Sequence, residues 1–337
     1  MANKPAWIVA FFLTLPSALC AVDQSFPRGF FIEDLSKNPP VPAFYNLENN
    51  QVEPFTFRQK YVQFIDFAWD RDKGRVFFSA RSSRQEPFRI YLKNWPDGDE
   101  KPVYESPVGP FRFLLSPDGR RFALQIMGSQ AWPTVAVCSW EEQRIVALGQ
   151  GYSPDWSLDG QRLLFLQIPG SLPSYLFEYR VDTDTAAAVL QEPVMEAVYT
   201  DDADQMIVKT ASQSKRCDIF QVWNRRRGKF NPFCLQETVE VKGKCPIQRD
   251  IGAFPGHQFF FFKESLNVSE NDHPRLIVTD LWGGRLQSLE PEDWQPRASA
   301  VEATSLVVGE DPLYLVPADG TGGRREIPRE GFVQIGR

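Results

Sequence analysis

The side chains that could do chemistry in this chain are few and widely spaced. Only two histidines occur, His257 and His273, and both lie beside turn-forming residues. A metal or lyase centre typically combines several histidines or carboxylates that converge on one point. We therefore interpret both histidines as turn or surface residues, and the sequence predicts no metal and no cofactor.

A serine nucleophile would need the motif G-x-S-x-G on a strand–turn–helix unit, followed by an acid and a histidine. No such motif occurs. Gly128-Ser129 lacks the second glycine and lies at the predicted end of a strand. The sequence therefore argues against a serine hydrolase, and no catalytic residue is predicted.

Two aspartates recur in the same local context, Asp118-Gly119 and Asp159-Gly160. Sialidase-type Asp-boxes separate the aspartate from the glycine, whereas here the two residues are adjacent. An aspartate that bonds to its local backbone, followed by a glycine that accepts a positive φ, is typical of a tight turn. We interpret these four residues as structural turn residues. A pair of channel carboxylates acting on a sugar stays open as an alternative.

These turns belong to a repeated unit, seen at Phe111 to Ile126 and again at Tyr152 to Ile168. Each copy has an apolar run, a four-residue turn and a second apolar run. The two turn glycines are about 40 residues apart, and a repeat of roughly 40–45 residues with several short strands is typical of propeller blades. The chain has 27 Pro, 22 Gly and 27 Phe, which favours many short strands joined by turns.

The repeat predicts an all-β fold, a single β-propeller of four-stranded blades over residues 22–337. Residues 22–57 contain three strand-like runs but no innermost strand, and residues 331–337 contain one short apolar run. Pairing the two segments would close the ring and remove its open edges. We therefore predict seven blades with a composite closing blade; six blades are the alternative.

Residues 1–21 have the features of a signal peptide, with Lys4 before an apolar run and small residues at its end. The protein is expected to be exported to a periplasm. Secretion, or a lipid anchor through Cys20, is the alternative. No later segment is apolar enough to span a membrane, and a net charge of −6 argues against a nucleic-acid partner. The basic run 225–227 is interpreted as a solvated hairpin turn.

Four cysteines follow the signal peptide: Cys138, Cys217, Cys234 and Cys245. Disulfides are the usual role of cysteines in an exported chain. Cys217 and Cys234 flank a predicted hairpin and could face each other across its strands. We favour a Cys217–Cys234 bridge, and a Cys234–Cys245 bridge is the alternative.

The segments 115–123 and 154–165 read LSPDGRRFA and PDWSLDGQRLLF. This pattern resembles the WD40-like repeat of the TolB-like β-propeller family. The resemblance implies a TolB-type propeller. It does not imply membership of the Tol envelope system, because residues 22–57 are too short for the separate α/β domain that TolB-like proteins carry. The same repeat also occurs in propellers attached to oligopeptidase-type hydrolases and in oligogalacturonate-lyase-like enzymes.

A propeller displays many short loops on one face of a rigid ring, which suits recognition. Trp132 and Trp294 fall in loops predicted to share that face, and Tyr152, Arg84 and Lys215 fall on it or at its rim. Exposed aromatics together with arginine are typical anchors of protein interfaces. The sequence therefore predicts a non-enzymatic scaffold that binds a protein or peptide partner of the cell envelope. The alternatives are a propeller lyase or glycosidase, or a glycan-binding module.

Overall fold

The computed structural model describes the greater part of the chain between residues 28 and 334. The described ranges are 28–34, 41–106, 109, 111–128, 132–168, 173–210, 220–232, 247–254, 256–265, 274–281, 285–289, 298–302, 305–309, 313–317, 325–327 and 332–334.

The regular secondary structure of the described residues is almost entirely β-strand, and the predicted all-β class is confirmed. Their only helical element is a one-turn 3-10 helix, Arg71–Lys73. The strands are β1 Gly29–Asp34, β2 Val41–Asn46, β3 Gln51–Pro54, β4 Gln63–Asp70, β5 Arg75–Arg81, β6 Arg89–Asn94, β7 Glu100–Glu105, β8 Phe111–Leu115, β9 Arg121–Ile126, β10 Thr134–Ser139, β11 Arg144–Trp156, β12 Arg162–Gln167, β13 Tyr175–Arg180, β14 Thr185–Tyr199, β15 Gln205–Thr210, β16 Gln221–Asn224, β17 Lys229–Pro232, β18 Ile247–Ala253, β19 Phe259–Ser265, β20 Arg275–Asp280, β21 Arg285–Leu289, β22 Ala298–Glu302, β23 Ser305–Gly309, β24 Leu313–Pro317, β25 Arg325–Glu326 and β26 Phe332–Gln334.

The strands pair with their neighbours in chain order to form antiparallel sheets. Three sheets have four strands each: β4 to β7, β18 to β21 and β22 to β25. A fourth has the order β26-β1-β2-β3, so the C-terminal strand pairs with the first strand, with Asp34 opposite Phe332. Strands β8 to β17 form one continuous ten-stranded sheet.

The ten-stranded sheet contains two long strands, β11 and β14, that each change partner midway. The first part of β11 pairs with β10 and its second part with β12. The chain thus passes from the outer edge of one four-stranded unit to the inner edge of the next without a loop, where the sequence predicted separate strands. Gly151 lies at this crossing, and a Cβ there would come within 2.3 Å of the Leu166 carbonyl oxygen. Only glycine permits this close approach.

Aromatic side chains fill the interface between the β1–β3 sheet and the β4–β7 sheet. The ring of Phe31 stacks on that of Phe67 at 5.0 Å, and the ring of Phe44 lies 4.7 Å from that of Trp69. Phe55 stacks on Trp95 with a centroid distance of 5.5 Å. Aromatic pairs in such geometries contribute about 0.5–1.5 kcal/mol each beyond their area burial. This packing fixes the N-terminal strands against the rest of the molecule.

An ionic network joins β13, β14 and the hairpin between β16 and β17. The carboxylate of Glu178, whose side chain is 6% exposed, accepts a hydrogen bond from the Tyr199 hydroxyl at 2.8 Å. It also pairs with the guanidinium groups of Arg225 and Arg180. Burial alone would raise the pKa of Glu178, but these hydrogen bonds and charges outweigh it and hold the pKa below its ordinary value. The basic run 225–227 is indeed a hairpin turn, with Arg225 partly buried in this network.

Candidate functional site: a cationic pocket and an aromatic pair on the loop face

Each sheet presents two ends that differ in chemistry. Because strands alternate in direction, the connections from first to second and from third to fourth strand share one end, which we call the turn face. The connections from second to third strand and from one sheet to the next share the other end, which we call the loop face. The turns 116–120 and 157–161 lie on the turn face. The segment 82–88 lies on the loop face, as does Val62, whose N–H donates to the Arg81 carbonyl oxygen at 3.0 Å.

An open pocket of about 660 Å³ lies on the loop face, where β4 begins and β5 ends. Three of its lining residues are cations and none is a carboxylate, and Val62 is 40% exposed. In a chain with a net charge of −6, this is a local excess of positive charge. We call it the cationic pocket; it is lined by Lys60, Tyr61, Val62, Gln63, Arg81 and Arg84.

The carboxylates around the cationic pocket are already used by other partners. Glu100 accepts a hydrogen bond from the Tyr61 hydroxyl at 3.1 Å and from the backbone N–H of Arg58 at 2.7 Å. Among the described residues, neither Lys60 nor Arg84 forms an ion pair. Arg89, at the start of β6 on the loop face, pairs with Glu86 and Glu105. The pairs Arg58–Asp99 and Lys93–Glu100 lie at the other end of β6 and β7.

Arg81 is held in place by neutral groups alone within the described part of the chain. Its guanidinium lies 4.6 Å from the centre of the Phe88 ring. Its Nη2 donates to Gln63 Oε1 at 2.7 Å, and its Nη1 donates to the Arg84 carbonyl oxygen at 3.3 Å. The Nε atom is buried and has no hydrogen-bond partner there. The guanidinium is therefore fixed in position while its charge is left uncompensated.

An aromatic pair lies on the same face, further along the chain. The rings of Trp132 and Tyr152 stack with a centroid distance of 5.9 Å and an interplanar angle of 25°. The Tyr152 hydroxyl lies 3.1 Å from Ser174 Oγ, which donates to the Val194 carbonyl oxygen at 2.6 Å. Met127, at the start of the loop that carries Trp132, is 52% exposed. Exposed aromatic and methionine side chains are enriched at protein interfaces.

The innermost strands carry carboxylates, which would be candidates for channel chemistry. Three of them instead accept a hydrogen bond from the backbone of the next unit, which links neighbouring units. Within the described residues, no group of three or more His, Cys, Asp or Glu side chains is arranged to hold a metal ion. The three bonds are Phe113 N–H to Asp66 at 3.3 Å, Tyr199 N–H to Asp155 at 2.7 Å and Ile251 N–H to Glu196 at 3.0 Å.

Asp118 and Asp159 lie in the turns that the sequence predicted. Ser116 Oγ donates to Asp118 Oδ1 at 2.6 Å, and Ser157 Oγ donates to Asp159 Oδ1 at the same distance. Asp118 Oδ1 also accepts from the Arg120 N–H at 3.1 Å. The glycines that follow have φ values of 69° at Gly119 and 65° at Gly160. Both carboxylates therefore accept hydrogen bonds from groups within their own turns.

The turn glycine Gly119 also permits a contact between units. A Cβ at this position would lie 2.3 Å from Asp70 Oδ2. Asp70 pairs with Arg75, whose Nη2 donates to the Gly119 carbonyl oxygen at 3.1 Å. Lys73 Nζ donates to the Asp118 carbonyl oxygen at 2.8 Å. Asp70, Lys73 and Arg75 therefore link two neighbouring units on the turn face.

The structure leaves several predicted residues untested. Lys215, Trp294, His273 and the proposed bridge partners Cys217 and Cys234 lie outside the described residues, as does the predicted signal peptide.

Two further side chains that could be reactive are described. Cys138 is buried without a disulfide, and burial raises the pKa of its thiol to about 11, so it is a core residue. His257 follows a turn, with its Nδ1 3.4 Å from the Thr200 carbonyl oxygen.

Of the residues in these two clusters, the sequence predicted Arg84, Trp132 and Tyr152 but not Lys60 and Arg81. The register of β4 and β5 brings these two residues together. Because Gln63 lies opposite Arg81, cations that flank the start of β4 and the end of β5 lie on one face. That register depends on a bulge between Phe64 and Asp66, which the sequence does not reveal.

No protein-family model matches the sequence, and no curated protein matches it. Solved structures do match. TolB from Acinetobacter baumannii is 12% identical with a TM-score of 0.51, covering 88% of this chain and 79% of that chain. The chain has a TolB-like fold.

Two other similar structures widen the comparison. An oligogalacturonate lyase in complex with manganese is 14% identical with a TM-score of 0.56, covering 90% of this chain and 85% of that one. An uncharacterised protein from Listeria monocytogenes is 11% identical with a TM-score of 0.56, covering 84% and 88%. At such identities the likeness concerns the fold alone. In the described part of the chain, no helix has the length and apolar character needed to cross a membrane.

Proposed function

We propose that the protein is an exported, non-enzymatic scaffold that binds a protein or peptide partner of the cell envelope on its loop face. The observation that carries this proposal is the pairing of a cationic pocket with an aromatic pair on one face. Arginine and aromatic anchors dominate the energetics of protein interfaces. The inner-strand carboxylates favour a scaffold over a lyase or glycosidase, because Asp66, Asp155 and Glu196 bond to neighbouring units.

The scaffold is a single β-propeller of seven four-stranded blades in this proposal. The strand pairing supports the count, because β11 and β14 each contribute to two units and thereby divide the ten-stranded sheet into three. The pairing of β26 with β1 makes the seventh unit composite, with one C-terminal and three N-terminal strands. A ring closed in this way leaves no long edge exposed, which suits a protein that stays rigid while it binds.

The test is affinity capture of the tagged mature protein from envelope extracts, beside a Trp132→Ala variant. The control is Leu158→Ala, which removes an apolar side chain on the turn face; Leu158 is 38% exposed, whereas Trp132 is partly buried. We expect a specific partner to be retained by the wild type and by Leu158→Ala and to be lost by Trp132→Ala. A partner held equally by all three proteins would move the binding site elsewhere. Turnover of an oligosaccharide by the wild type would replace the scaffold by an enzyme.

A further inference from the structure

The cationic pocket has more positive charge than its surroundings compensate. Lys60, Arg81 and Arg84 line it together, and the carboxylates of Glu86 and Glu105 at this end of the sheet are paired with Arg89. Like charges that share a concave site repel one another and raise the local concentration of anions. The chain as a whole carries a net charge of −6, so a group of three cations in one concavity departs from the overall charge balance.

The geometry of Arg81 favours a carboxylate among the possible anions. A guanidinium presents a planar fork of donors that matches the two oxygens of a carboxylate. Phe88 and Gln63 fix the plane of the Arg81 guanidinium. Its Nη1 and Nη2 atoms each carry two N–H groups, of which the Arg84 carbonyl oxygen and Gln63 Oε1 accept one each. The orientation cost of binding is therefore largely met before a ligand arrives.

The rest of the lining favours a peptide over a small inorganic anion. Val62 and Tyr61 add apolar surface beside the three cations. A volume of about 660 Å³ lies within the range of roughly 300–1,000 Å³ typical of sites for small organic ligands. Such a site holds a few residues of an extended segment, with acidic side chains toward the cations and an apolar side chain against Val62.

We propose that the cationic pocket binds an acidic, extended peptide segment of the partner through carboxylates held by Lys60, Arg81 and Arg84. This inference rests on the proposed function and narrows the partner to one that presents such a segment. The carboxylates of the peptide would neutralise the positive charges of these three side chains, which no described carboxylate in the pocket lining neutralises.

The test uses fluorescence anisotropy with a labelled, amidated hexapeptide, Ala-Glu-Leu-Glu-Ala-Glu, and its counterpart in which every Glu is replaced by Gln. The binding variant is Lys60→Glu/Arg84→Glu, because neither side chain pairs with a described residue. The control is Arg120→Glu/Arg227→Glu, which changes the charge by the same amount at exposed turn-face positions. Inorganic phosphate serves as the competitor that separates a free oxyanion from a peptide.

We expect the glutamate peptide to bind the wild type and the control variant, and the glutamine peptide to bind neither. The double reversal at Lys60 and Arg84 should weaken binding by about tenfold or more, because it removes two attractive charges and adds two repulsive ones. Raising sodium chloride from about 0.05 M to about 0.5 M should weaken binding as well, because exposed charges are screened.

Three results would overturn the inference: equal binding of the two peptides, no effect of the double reversal, or complete displacement of the peptide by phosphate at equimolar concentration. Thermal unfolding of each variant separates loss of binding from loss of folding. If Lys60→Glu/Arg84→Glu is less stable, Lys60→Gln/Arg84→Gln gives the same test without reversed charges. Should a captured partner depend on Trp132 and ignore the double reversal, the proposed function stands and this inference fails.

Discussion

The turn face and the loop face use the same kinds of side chain for opposite purposes. On the turn face, Arg75 pairs with Asp70 and bonds to the carbonyl oxygen of Gly119, which joins two neighbouring units. On the loop face, Lys60 and Arg84 have no described ionic partner. Charge that is paired inside a protein contributes to its stability, whereas charge that is left unpaired on a concave surface remains available for another molecule. Charged side chains that stabilise the fold therefore lie at one end of the strands, and charged side chains available for binding lie at the other end.

The largest effect should come from adding one methyl group to the turn face. Gly119→Ala places a Cβ at a φ of 69° and within 2.3 Å of Asp70 Oδ2. We expect a loss of about 3 kcal/mol in the free energy of unfolding, from backbone strain and from disruption of the Asp70–Arg75 pair. Urea unfolding followed by circular dichroism measures it.

Gly228→Ala is the matched control for that substitution. Gly228 has a φ of 59°, but a Cβ there would meet no atom within 4 Å. It should therefore show only the backbone cost of about 1 kcal/mol. Equal losses at Gly119 and Gly228 would mean that the contact with Asp70 does not stabilise the turn face.

The second-largest effect should be a pH-dependent loss in the free energy of unfolding when the paired carboxylate of Glu178 is replaced. Glu178→Gln keeps the shape but removes the charge that Arg225 and Tyr199 stabilise, so we expect a loss of about 2 kcal/mol at pH 7. The folded-state pKa of Glu178 is depressed, so its contribution to stability is present above its ordinary value near 4.5 and is lost as pH falls through the folded-state pKa.

The difference in stability between wild type and Glu178→Gln should therefore shrink as the pH is lowered from about 7 to about 3. Urea unfolding at several pH values measures this difference. Glu53→Gln is a surface control, since Glu53 bonds to Asn46 and Asn49 but to no cation that the structure records. A difference for Glu178→Gln that stays constant with pH would contradict an ionic role for this residue.

The smallest change in the free energy of unfolding should come from substitutions on the loop face. Lys60→Ala/Arg84→Ala should change the free energy of unfolding by no more than about 0.5 kcal/mol, because neither side chain pairs with a described residue. Arg75→Ala, which breaks a paired contact of the turn face, is the comparison and should cost clearly more. A large loss in the loop-face variant would show that these cations stabilise the fold, and the contrast between the two faces would fail.

Much of the fold was predictable because its signals are local. The apolar alternation and the turns at Asp118-Gly119 and Asp159-Gly160 are properties of neighbouring residues, and they predicted short antiparallel strands at the right places. The merging of outer and inner strands in β11 was missed, because it depends on how closely Gly151 approaches Leu166 of the next strand. The site was predicted only in part. Arg84, Trp132 and Tyr152 were named from loop position, while Lys60 and Arg81 were not.

The amino-acid sequence by itself determined the class of elements, the turn chemistry and the repeat, because each depends on residues close together in the chain. The tertiary structure alone decided which charges have partners. The sequence left channel carboxylates open as an alternative without indicating which residues they would be. Asp66, Asp155 and Glu196 lie on the innermost strands, and each accepts an N–H from a residue more than 40 positions away. Lys60 and Arg81 are distant in sequence and meet through strand register. Whether a charge is satisfied depends on its neighbours in space, and those are set only when the sheets pack.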